Sequence, residues 1–198
     1  FYIMLFMGLP VMLNVHFLLE LWLVQVPKHA DTFAIWTLVF LMAESISRPI
    51  VTAKDATGNI RNYQLVVGGV LLLVLPFSYI LLRLGAPVET VVAINALDAI
   101  LAIFARMYML RGAFPPWLSG LFFREVVLNA LKVSAVGATL PVILYLFIAD
   151  EGWVRLLSTS IISILCVILS VLYVGCNTDE REKIITTVTH YLSKLKQK

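Results

Sequence analysis

Long apolar stretches separated by short polar connections recur six times along the chain, over residues 1–17, 33–53, 65–82, 87–110, 126–149 and 153–175. Each comes close to or exceeds the roughly 18 to 20 residues that carry a helix across a hydrocarbon core about 30 Å thick. Apolar positions do not alternate with polar ones over segments of about ten, as the strands of a membrane barrel would. Helices and closed barrels are the two structures that satisfy every backbone group in lipid, so the pattern predicts helices. The expected fold is all-α: a polytopic membrane protein with a bundle over 1–176. The first span continues into an interfacial segment, 18–26, that carries Glu20 and Trp22.

Beyond the sixth span, Asn177 with Glu180 three residues on resembles a capping box, and Ile184, Val188, Tyr191, Leu192 and Leu195 recur at helical spacing. Lys194, Lys196 and Lys198 close the run, where cations suit a helix C-terminus. Residues 177–198 are therefore expected to form an amphipathic tail helix. It lies either on the inner leaflet or against the protein's own cytoplasmic face.

Composition agrees: 61% of the residues are hydrophobic, 14% are charged, and mean hydropathy is +0.94, which excludes a soluble domain. The net charge of +3 does not call for a nucleic-acid partner, because the Lys and Arg residues sit in short loops beside apolar spans. Arg48, Lys54 and Arg61 surround the second connection, Arg106, Arg111 and Arg124 the fourth, and Arg181, Lys183, Lys194, Lys196 and Lys198 follow the last span. The odd connections hold only Lys28, Arg83 and Arg155. The positive-inside rule then places the even connections and the C-terminus in the cytoplasm. Because Phe1 already lies inside an apolar run with no basic segment before it, the chain reads as the C-terminal portion of something longer.

A few polar residues interrupt the spans. Asp98 stands about ten residues, or roughly 15 Å, into the fourth span, close to the bilayer midplane. A charge at that depth costs at least about 2.5 kcal/mol even on lenient insertion scales, which makes an intramembrane carboxylate a candidate ion or proton site. Asn95, Ala102 and Arg106 share its helical face, so this stripe should look into protein or a cavity. Glu44 and Arg48 are spaced i, i+4 with the acid first, the favourable order for an intrahelical pair. Lys132 lies about 12 Å into the fifth span, one face-equivalent beyond Glu125. It reads as a cavity-lining cation or one that snorkels to the interface.

Pro10, Pro76 and Pro141 interrupt three spans and should bend them. Ala130, Ser134 and Ala138, with Gly68 and Gly69, permit close helix packing. His16, His29 and His190 are scattered, Cys166 and Cys176 fit no metal or redox spacing, and no nucleophile elbow or phosphate-binding glycine loop is present. The expectation is a transporter, not an enzyme, with no bound cofactor.

At the second connection the chain reads Ala56-Thr57-Gly58-Asn59-Ile60-Arg61-Asn62-Tyr63-Gln64, followed by Leu65-Val66-Val67-Gly68-Gly69. With Leu19-Glu20-Leu21-Trp22-Leu23 before Val26-Pro27, and the tail from Gly175 to Lys198, this resembles the C-terminal part of lipopolysaccharide O-unit flippases of Bacteroides-type organisms. These belong to the multidrug, oligosaccharidyl-lipid and polysaccharide exporter superfamily. The resemblance implies two lobes around a cavity that opens alternately to either side, with an N-terminal lobe preceding this segment as its partner. It also implies export of an undecaprenyl-pyrophosphate-linked oligosaccharide. On that reading Arg48, Asn95, Arg106 and Lys132 line the transport path, and Glu44 and Asp98 are candidates for coupling to H⁺ or Na⁺. A cation-coupled drug exporter of the same superfamily and a non-transporting membrane scaffold are the competing readings.

Overall fold

The computed structural model describes residues 1–23, 25–58, 60–110, 115–148 and 152–176, together with Arg181, Lys183 and Thr186. Among them every regular element is a helix: α1 (Tyr2–Leu13), α2 (Val15–Trp22), α3 (Ala30–Asp55), α4 (Arg61–Leu72), α5 (Val74–Arg83), α6 (Glu89–Leu110), α7 (Pro116–Phe122), α8 (Leu128–Phe147) and α9 (Trp153–Ser170). Two wider π-helical segments, Phe123–Val127 and Val171–Gly175, precede α8 and follow α9. Five helical stretches among the described residues are long and apolar enough to cross a membrane, and the bent pair α1–α2 makes a sixth if it is counted as one span. The protein is an all-α, multi-pass membrane protein.

Span boundaries follow local chemistry. The third span runs Arg61–Arg83 with a break at Leu73. Pro76 explains the break, because its ring crowds the carbonyl of Leu72 and it has no N–H to return. The same helix ends in a Schellman turn: Gly85 at φ +87° donates to the Leu82 carbonyl and Ala86 to that of Leu81. Gly58 at φ +70° ends α3 in the same left-handed conformation, so Ala56-Thr57-Gly58 terminates one helix and Arg61 to Gln64 opens the next. The fifth span begins earlier than its apolar run suggests and is continuous from Trp117 to Phe147.

One expectation is corrected. The first span does not run straight to residue 17; it stops at Leu13 and turns 78° into α2. Asn14 makes the corner, with φ −116° and ψ 24°. Its amide is buried and donates to the Pro10 carbonyl at 3.0 Å and to Thr159 Oγ1 of α9 at 2.9 Å. A hydrogen-bonded anchor on a distant helix therefore holds the bend, and Pro10 lies one turn before it.

Two apolar clusters hold the bundle. Ala43 and Ile46 of α3, Ala99 and Ile103 of α6 and Val127 and Ala130 around the start of α8 form one. Leu5 and Leu9 of α1, Val133 of α8 and Val167 of α9 form the other. At the second, the end of the Met42 side chain from α3 fills the space over Gly8 of α1, where a Cβ would stand 2.7 Å from Met42 Cε. The tail expected over 177–198 lies outside the described residues except for Arg181, Lys183 and Thr186. The Arg181 guanidinium stands 4.2 Å over the Tyr173 ring.

Candidate functional site

The polar stripe on α6 faces protein. Asp98, Ala102 and Arg106 are buried and Asn95 is half-buried. Arg106 reaches across to α3 and holds Glu44 through both guanidinium nitrogens, at 3.0 and 3.4 Å. The pair is enclosed, with the two side chains 6% and 18% exposed. Tyr63 of α4 is buried and stands within electrostatic range of Arg106, Glu44 and Asp55. Charge on α6 is thus neutralised by its neighbour, which is what burial of an ion in a low-dielectric bundle requires.

The expected Glu44–Arg48 pair is secondary. Its closest approach is 3.8 Å, and the Arg48 side chain is 71% exposed. Spacing along one helix brings these two within reach, but Arg106 on the parallel neighbour meets the carboxylate head-on.

Asp98 differs from Glu44. It is 4% exposed, and its Oδ2 has no hydrogen-bond partner among the described residues. Eight residues separate it from Arg106, about 12 Å along the axis. It lies on the wall of neither cavity described below. The six residues expected to share one site are therefore divided: Glu44 and Arg106 paired, Asp98 and Asn95 further along α6, Arg48 outside, Lys132 elsewhere.

Lys132 lies in a cavity of about 620 Å³ at the basic end of the bundle. Arg124, Glu125 and Asn129 share its wall with Ser45 and Pro49 of α3, the start of α1 and the residues from Val174 to Cys176. Both π-helical segments border it, and such wide turns recur at functional sites. They splay the backbone, and Asn129 Nδ2 takes up the Gly175 carbonyl at 2.9 Å. Two cations, one carboxylate and neutral polar groups thus face one opening between helices, an arrangement that suits an anionic head group with hydroxyl-bearing attachments.

A second cavity, about 210 Å³, lies at the opposite end, where α1 bends into α2. Residues 12–17 form one wall, and Asp31, Ile35, Tyr145, Gly152 and Arg155 the rest. Arg155 stacks 3.8 Å over the Tyr145 ring. His16 is not an isolated histidine: Nδ1 lies 2.8 Å from Asp31 Oδ2 and Nε2 lies 3.2 Å from Glu20 Oε1. His29 likewise contacts Glu89. Glu20 was the available sequence signal, four residues beyond His16 on the same helix face; Asp31 and Arg155 reach this cavity only through the fold.

No family model, curated protein or solved structure matches the chain. What can be said of its function rests on this geometry.

The apolar cluster of Leu5, Leu9, Val133 and Val167 stands between the two cavities, flanked by Met42, Phe6 and Leu13. Among the described residues no group of His, Cys, Asp and Glu is arranged to hold a metal.

Proposed function

We propose that this protein exports lipid-linked oligosaccharide across a bacterial inner membrane by alternating access, as the C-terminal part of an O-unit flippase. The observation that carries the reading is the cavity at the basic end, in which Lys132 and Arg124 face the same space as Asn129, Ser45 and Glu125. By the positive-inside rule this end is cytoplasmic, the side on which such a substrate is loaded. A pyrophosphate suits two cations, the sugars suit amide and hydroxyl neighbours, and the polyprenyl chain remains in lipid between helices.

Arg106 is held by Glu44, and this reading gives the substrate contacts to cations that line the cavity. Lys132 and Arg124 take that role. Asp98, buried and with its Oδ2 unpartnered among the described residues, is the carboxyl candidate for coupling to H⁺ or Na⁺. Glu44 instead holds Arg106 in place. An N-terminal lobe would complete the transport path.

The scaffold reading draws on one observation, the enclosed Glu44–Arg106 pair, which would lock helices in a protein that transports nothing. A complementation assay in the intact protein separates the two. Lys132→Ala, Arg124→Ala and Asp98→Asn are each expected to cut surface polysaccharide by about tenfold or more at normal membrane abundance, the effect of removing one charge-assisted contact. Export at the parental level in all three would reject the flippase reading and favour the scaffold.

A further inference from the structure

We propose that α2 is a pH-responsive lid over the cavity opposite the basic end, with His16 as its latch. This goes beyond the transport reading and does not depend on what is transported.

The bend at Asn14 detaches α2 from α1, and the six residues around it form one wall of the cavity. Movement of α2 therefore changes the cavity mouth. Among the contacts that fasten α2 to its neighbours are His16 to Asp31 of α3, and Phe17, whose ring meets Trp153 of α9 edge-on at 5.6 Å. Asn14, tied to Thr159, is the fixed end of the lever.

His16 places a carboxylate oxygen at each ring nitrogen. The Asp31 contact is a hydrogen bond and the Glu20 contact an electrostatic approach, and an imidazolium, with a proton on each nitrogen, satisfies both carboxylates at once. On deprotonation one nitrogen turns a lone pair toward a carboxylate, and the Asp31 contact that fastens α2 to α3 loses the positive charge that makes it an ion pair. Among the described residues, the groups near His16 include Glu20 on its own helix, Asp31 on α3, and, around the same cavity, Tyr145 on α8 and Arg155 on α9. Asp31 lies in the first turn of α3, where the helix N-terminus favours its anion, and Arg155 does not titrate near neutrality. Histidine does. Asp31 Oδ1 is also buried without a hydrogen bond, so its carboxylate depends on the His16 contact through Oδ2.

Both carboxylates and the imidazole are partly exposed, which limits the effect to that of surface ion pairs. The lid is clasped in acid and released as pH rises through the histidine range.

The test uses the full-length protein in membranes, with Cys166→Ser and Cys176→Ser, and spin labels on Leu21→Cys and Val154→Cys, both exposed positions on α2 and α9. Distance distributions are recorded at about pH 5.5 and about pH 8, on either side of the histidine range. The longer-distance population is expected to rise about fivefold at the higher pH, to be pH-independent in His16→Gln, and to keep its response in His29→Gln. Identical distributions at the two pH values, or a response that survives in His16→Gln, overturn the proposal. If His16→Gln does not fold, Asp31→Asn replaces it, and the same flat profile is required.

Discussion

Glu44 and Arg106 illustrate how a buried charge is tolerated in this bundle. Each alone would be a stranded ion between α3 and α6; together, at 3.0 Å, they are a closed pair. Removing one partner strands the other, so Glu44→Ala and Arg106→Ala should each destabilise by about 3 kcal/mol. The double replacement should recover part of that loss. Thermal unfolding in detergent of the four proteins of this double-mutant cycle measures it, and strict additivity would show that the two residues do not act as a pair. Helical periodicity was enough to place Asp98, Ala102 and Arg106 on one inward face. It was not enough to name the partner, because the local candidate Arg48 sits four residues from Glu44 while the actual one is 62 residues away. His16 is a similar case: Glu20 was visible at i+4, but Asp31 on α3 closes the bridge.

Elements were more legible than contacts. Five of the six apolar runs form helices long and apolar enough to span, because length and composition alone decide what can cross a hydrocarbon core, and the first forms the bent pair. Turn chemistry placed the breaks at Pro76, Gly58 and Gly85, where ring sterics or a left-handed backbone left little choice. The corner at Asn14 was signalled only in part: Pro10 marks a bend in this span, but Thr159, 145 residues away, helps hold the corner four residues later. Neither π-helical segment was foreseen, because nothing in a run such as Phe123-Arg124-Glu125-Val126-Val127 distinguishes a wide turn from an α-helical one. The connection after α3 carries the orientation. In intact cells a cysteine introduced at Ala56, an exposed position beside Lys54 and Arg61, should resist a membrane-impermeant thiol reagent and react only after permeabilisation. Labelling from outside would invert the topology.

At the scale of the whole molecule, charge is sorted by depth. The basic residues gather at one end around a broad polar cavity, a narrower cavity with His16, Asp31 and Arg155 occupies the other, and Leu5, Leu9, Val133 and Val167 fill the space between. Polar cavities at the two ends with apolar packing between them are what the proposed alternating access requires of a closed state. Asp98 lies apart from this cluster, buried on α6. Composition could not show this division, because the residues that line each cavity come from spans widely separated along the chain.

Hydration at Lys132 decides between a working vestibule and a packing defect. In inside-out vesicles carrying the full-length protein with Lys132→Cys and the two native cysteines replaced, a charged thiol reagent added outside should modify residue 132 rapidly. A cysteine there that stays unmodified while the control at Ala56 reacts would mean that the cavity holds no water and that Lys132 meets no substrate.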